Sequence, residues 1–191
     1  VLRQFMLDRN VLPEASLVAM VPVSVHDRSD RPGRNQVSGM FSSLKTQIAD
    51  PGERLRAIAA DNIVAKEHSA AIGATLLQDW SQFAGPAVFG VAMRVYARSR
   101  LTESPVHNLV VSNVPGPQIP LYFLGAEVDA MYPLGPIFHG AGLNITVMSL
   151  NGKLNVGLIS CPELLPDLSA LADGFIPGMK ELLKATKARR R

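Results

Sequence analysis

Apolar and polar positions alternate most regularly in LNITVMSLNGKLNVGLIS, residues 143–160, and the pattern predicts a β-hairpin. Asn151-Gly152 supplies two residues that tolerate positive φ, as a two-residue type I′ turn demands. Counting outward from that turn pairs Leu150 with Lys153, Ser149 with Leu154, Val147 with Val156 and Ile145 with Leu158. The opposite face pairs Met148 with Asn155, Thr146 with Gly157 and Asn144 with Ile159. The aliphatic face is expected in the core, while the other mixes amides, a hydroxyl and a missing side chain. A slip of one residue would exchange the two faces, so the register is well specified. Gly157 opposite Thr146 leaves room for a ligand or for another backbone.

The same pattern reading divides the rest of the chain. Leu2, Phe5 and Met6 have helical spacing with no capping residue before them, so the chain is expected to begin inside a helix. Residues 16–25 form an apolar run suited to a buried strand, with Pro22 arguing for an edge or a bulge. A charged loop at 26–36 separates it from a strand at 37–44. Asp50 should cap a helix with Pro51 in its first turn and Leu55, Ile58, Ala59 and Ile63 as its apolar stripe. A helical region follows from about 74 to 98, interrupted near Pro86. Residues 108–114 are a strongly apolar strand stopped by Pro115-Gly116-Pro117, and another strand is expected at 126–131. After a connector at 162–166, Leu168, Leu171, Phe175, Met179 and Leu182 repeat as a helix that Pro177-Gly178 should kink. Helices and strands alternate coarsely around an antiparallel hairpin, which predicts an α/β fold, a mixed sheet with packed helices.

At 191 residues and 47% hydrophobic, the chain can bury a core as one domain of ordinary size. Its net charge of +3 is concentrated at Arg28, Arg31 and Arg34 and at Lys184, Lys187, Arg189, Arg190 and Arg191. Such clusters suit anionic ligands or lipid surfaces, or simply a solvated face. Aromatics, at 6%, are not interleaved with them, which disfavours single-stranded nucleic acid. A single cysteine, Cys161, excludes an internal disulfide and reads as a small buried hydrophobe. The longest apolar stretch, 83–93, falls short of the roughly 20 residues a membrane helix needs.

Candidate chemistry is sparse. His26, His68, His107 and His139 are scattered, and none forms a helical metal pair. Asp61, Glu67 and His68 share a helix and read as a solvated face. Gly135, Gly140 and Gly142 precede a strand, not a helix whose N-terminus could hold phosphate. SNVPGP at 112–117 is more specific: an aliphatic strand turns polar and stops at a rigid turn, placing a hydroxyl and an amide at a rim of the sheet. Ser112 and Asn113 point to opposite faces, so only one of them can line a given cavity.

SNVPGP at 112–117, PLGP at 133–136 and GAGLNIT at 140–146, ahead of the Asn151-Gly152 turn, resemble the C-terminal half of the bacterial wax ester synthase/acyl-CoA:diacylglycerol acyltransferases, the actinobacterial triacylglycerol synthases above all. LVAMVPVSVHDRSD at 17–30 and the helix after Asp50 extend the likeness over nearly the whole chain. The resemblance implies a half-domain, 1–191, of a two-domain enzyme similar to chloramphenicol acetyltransferase. The family's His-His-x-x-x-Asp-Gly motif belongs to the N-terminal half, and no adjacent histidines occur here, so no catalytic base is expected in this chain. Ser112 and Asn113 become candidate oxyanion donors, with Asn144 and Thr146 as candidates for the channel wall or for CoA. The implied substrates are acyl-CoA and diacylglycerol or a long-chain alcohol, with no metal or organic cofactor. The implied partner is the N-terminal domain, and the implied location is cytoplasmic, peripheral at membranes or lipid droplets. The competing expectation is a non-catalytic module that binds a lipid surface or another protein through the basic tail and apolar helices.

Overall fold

A computed structural model describes residues 1–24, 37–71, 91, 94, 95, 106–137 and 140–188. The expected helical region at 74–98, the basic loop and the last three arginines lie largely or wholly outside these residues. The strands are β1 (Val18–Ser24), β2 (Val37–Ser43), β3 (Leu109–Val114), β4 (Tyr122–Phe123), β5 (Ala126–Glu127), β6 (Leu143–Leu150) and β7 (Lys153–Ser160). The helices whose full span lies among the described residues are α1 (Leu2–Leu7), α2 (Pro51–Ala71), α3 (Leu168–Asp173) and α4 (Phe175–Ala188). Five strands form one sheet in the order β2-β1-β3-β6-β7. The β1/β3 and β3/β6 pairs are parallel and the two outer pairs antiparallel, so the sheet is mixed.

The β6/β7 register reproduces each pairing counted from the Asn151-Gly152 turn, whose residues have φ of 45° and 78°. The aliphatic face meets the helices. Ala19, Leu109, Leu143 and Ile145 from four positions of the sheet pack with Leu171 of α3, and Phe5 and Phe175 close the edges. Leu171 is fully buried because α3 is held in place by Asp167, whose carboxylate accepts from the Ala170 amide at 3.2 Å.

Four expectations need correction. Pro22 is not on an edge: β1 lies between β2 and β3, but the β1/β3 ladder ends at Met20, so the missing N–H falls where no partner strand remains. The last helix breaks at Gly174 rather than at Pro177, because Pro177 falls in the first turn of α4, where no intrahelical donor is needed. In α2, Asp50 does cap, accepting from Glu53 N at 2.6 Å, but Leu55 and Ile63 are exposed. Polar contacts orient that helix instead: Ser42 donates to Asn62 at 2.6 Å, and Lys45 pairs with Asp61 at 2.5 Å. The strand expected at 126–131 shrinks to β5, which pairs only with β4 as a separate two-stranded hairpin.

Candidate functional site

The polar face of β6 and β7 is the face away from the helices, and the structure buries it. Asn144, Thr146 and Asn155 are 3%, 5% and 7% exposed, and of the two occupants that Gly157 leaves room for the structure holds another backbone. The segment 133–136 accounts for this, because it lies directly on the sheet. The Pro133 carbonyl occupies the space a side chain at 157 would fill, so the gap at Gly157 accommodates backbone, not ligand. Two residues on, a Cβ at position 135 would stand 2.5 Å from Nδ2 of Asn144, which is why glycine is needed there too. Asn144 Nδ2 donates to the Pro136 carbonyl at 2.9 Å, and Thr146 Oγ1 donates to Asn144 Oδ1 at 2.7 Å. A short relay of hydrogen bonds therefore joins sheet and overlying segment.

Beside this segment the same face opens into a cavity of about 600 Å³. Its walls come from Met20 and Pro22 of β1, Gly39 and Phe41 of β2, Val110, Ser112 and Val114 of β3, and Leu134, with Asn144 and Thr146 as its polar end. Ser112 and Thr146 are cross-strand partners in the β3/β6 ladder, one step from the Val110–Asn144 pair. Among the described residues, the Ser112 hydroxyl has no hydrogen-bond partner. Asn113, its sequence neighbour, is exposed on the helix-facing side of the sheet and does not reach this cavity. The structure therefore brings together Ser112, Asn144 and Thr146 and leaves Asn113 apart.

The apolar walls from β1 and β2 were not singled out in the sequence, although the alternation in AMVPVS placed Met20 and Pro22 on one face. The His107 ring lies beside that of Phe41, 5.8 Å between centroids and tilted by 41°. Among the described residues, no titratable side chain lines the cavity.

The protein-family model of the WS/DGAT C-terminal domain matches residues 34–183. The chain belongs to this family. Among its relatives, a Mycobacterium tuberculosis H37Rv protein named as a diacylglycerol O-acyltransferase is 62% identical over 185 residues, covering 97% of this chain and 37% of that protein. The O-acyltransferase WSD of Acinetobacter baylyi is 35% identical over 170 residues, covering 89% of this chain and 36% of that protein. The solved wax ester synthase/diacylglycerol acyltransferase from Marinobacter aquaeolei VT8 superposes with a TM-score of 0.71 at 31% identity, over 97% of this chain and 40% of that one. This WS/DGAT domain thus spans little more than a third of its relatives' length. Among the described residues, no helix is long and apolar enough to cross a membrane.

Proposed function

We propose that the chain forms the C-terminal wall of the active-site cleft of an O-acyltransferase, which moves a fatty acyl group from acyl-CoA to diacylglycerol or a long-chain alcohol. The product is triacylglycerol or wax ester. The observation that carries this reading is the Ser112–Thr146 pair at the polar end of an apolar cavity. Apolar walls with a few convergent polar groups suit a hydrocarbon chain ending in an ester or thioester.

In acyl transfer the acceptor hydroxyl attacks the thioester carbonyl, negative charge gathers on the carbonyl oxygen, and the CoA thiolate departs. The Ser112 hydroxyl, which has no partner among the described residues, supplies a donor for that oxygen, and one well-placed donor is worth about 3 kcal/mol. Thr146 gives its proton to Asn144 and so offers the cavity acceptor lone pairs, which suit an incoming hydroxyl. Among the described residues, no group lining the cavity can act as a base near neutral pH, and the reading assigns that role to the His-His-x-x-x-Asp-Gly motif of an N-terminal half. The proton it takes from the acceptor passes to the departing thiolate. Neither metal nor organic cofactor takes part, and acyl-CoA enters as substrate. A lipid acceptor places the reaction at a cytoplasmic membrane or droplet surface.

The test joins this chain to the amino-terminal remainder of the 62% identical M. tuberculosis relative and measures thiol release and triacylglycerol from acyl-CoA and diacylglycerol. The chimera should turn over and the chain alone should not. Ser112→Ala in the chimera should lower kcat by roughly ten- to a thousand-fold with the fold intact. Turnover by the isolated chain, or an unchanged kcat for Ser112→Ala, sinks the reading.

A further inference from the structure

Three glycines lie on or over the sheet face that holds the cavity, and packing demands only two of them. A side chain at 157 would meet the Pro133 carbonyl, and one at 135 would meet the Asn144 amide. Gly39 differs. Among the described residues, a Cβ there meets only the Met20 side chain, at 3.8 Å, which is ordinary contact, and the position does not have the positive φ that favours glycine. The β1/β2 register also runs through Gly39 without a bulge. A glycine inside a strand forgoes the packing that a β-branched residue would gain there. With no bulge to make, the reason left for it is close approach by a ligand or by another backbone. No described backbone takes that place, and Gly39 is exposed.

The register shows what such a ligand would follow. Two rows of residues cross the cavity face from strand to strand. One runs through Asn144, Val110, Met20 and Phe41, each paired with the next. The other begins with the partners Thr146 and Ser112 and ends with the partners Pro22 and Gly39. Pro22 and Ser112 stand level, because each lies two residues beyond the Met20–Val110 pair. The first row therefore ends in an aromatic ring and the second in an absent side chain, on β2 at the edge of the sheet. All four members of the second row line the cavity. Three strand spacings of about 4.8 Å make that row about 14 Å long. An extended hydrocarbon chain, with bonds of about 1.5 Å at about 111°, advances about 1.25 Å per carbon, so about eleven carbons reach from Thr146 to Gly39.

We infer that Gly39 sets the upper limit on chain length: the hydrocarbon chain of a substrate runs from the Ser112–Thr146 pair across Pro22 and leaves the cavity over the missing side chain. This rests on the proposed function. Acyl donor and lipid acceptor carry the same kind of chain, and the test separates them.

The chimera with the amino-terminal remainder of the M. tuberculosis relative is prepared with Gly39, Gly39→Ala and Gly39→Val. Acyl-CoA donors from octanoyl to stearoyl are compared at a fixed diacylglycerol concentration, and alcohols from octanol to octadecanol at a fixed palmitoyl-CoA concentration. In one series Gly39→Val should lower kcat/KM about ten-fold or more for chains longer than about eleven carbons and leave octyl chains within about two-fold of wild type. The series that responds identifies the source of the chain. Gly39→Ala should fall between the two. Valine suits a strand better than glycine, so the Tm of Gly39→Val should not fall, which separates loss of room from loss of fold. A readout independent of turnover is displacement of a fluorescent polyene fatty acid from the same three proteins by octanoate through stearate. Stearate should compete about ten-fold less well in Gly39→Val, and octanoate as in wild type. Identical length profiles in all three proteins, or a uniform loss at every length, overturn the inference while turnover by the wild-type chimera keeps the proposed reaction. A length-dependent loss of binding in a chimera that does not turn over leaves this inference standing and sinks the reaction. Neither chain binding nor turnover by wild type overturns both.

Discussion

The carbonyl of Pro133 sits over Gly157, in the place where any other residue would carry its side chain. That seat positions the segment whose next residue, Leu134, forms one wall of the cavity. Gly157→Ala should therefore lift the segment or strain the sheet, at a cost of about 1–3 kcal/mol. Urea denaturation checks the energy, and hydrogen exchange at 133–137 checks the displacement. An unchanged midpoint would mean that the segment does not bear on the sheet in solution.

Asn144 joins that segment to Thr146, with bonds of 2.9 Å to the Pro136 carbonyl and 2.7 Å from the threonine hydroxyl. Asn144→Ala leaves the buried Thr146 hydroxyl without its acceptor and frees the exposed Pro136 segment, and a buried unsatisfied group costs about 1–3 kcal/mol. Thr146→Val removes the hydroxyl that Asn144→Ala would orphan. The double variant should consequently be less destabilised than the two single losses added, by about 0.5 kcal/mol or more. Strict additivity in urea melts would show that the two side chains do not act as a relay.

Much of this arrangement could be read from the chain because it depends on local rules. Asn151-Gly152 determines a turn, and a turn determines the β6/β7 register without knowledge of anything distant. The placement of Ser112 and Asn113 on opposite faces follows from the two-residue period alone. What escaped was non-local. Nothing in LNITVMSL tells that a segment seven or more residues upstream will lie over Asn144 and Thr146, so the choice between ligand and backbone above Gly157 stays open in the sequence. Pro22 looked like an edge signal, since its tolerance depends on where the neighbouring ladder ends. The apolar stripe of α2 misled for the same reason: Asn62 and Asp61 find partners at Ser42 and Lys45, and these orient the helix.

Asp167 makes the acid side of stability predictable. The Ala170 amide first, then the Ser169 hydroxyl and the Arg9 guanidinium, hold its carboxyl below the usual carboxylate range. A depressed native pKa contributes stability in full above the unfolded value, about 3.9, and loses it as pH falls through the lower native value. Asp167→Asn keeps a capping acceptor but no charge, so its urea midpoint should fall less steeply below pH 4 than that of wild type. Parallel curves from pH 6 to pH 2 would show that the charge has no role in holding α3.

Gln118 fastens the root of the exposed β4/β5 arm to the β6/β7 turn. Its Nε2 donates to the Gly116 carbonyl at 3.0 Å and to Ser149 Oγ at 3.1 Å, and its Oε1 accepts from Gly152 N at 3.0 Å. Pro117 adds a backbone bond, its carbonyl accepting from Asn151 N at 3.0 Å. These contacts are partly exposed, so Gln118→Ala should cost only about 1 kcal/mol of global stability. Its larger effect should be local: amides at 119–128 should exchange faster while those of β3 and β6 keep their protection. Gln118→Glu retains the acceptor for Gly152 and loses both donors, and should fall between wild type and alanine. Uniform exchange across the arm in all three proteins would show that the backbone bond from Asn151 suffices to hold it.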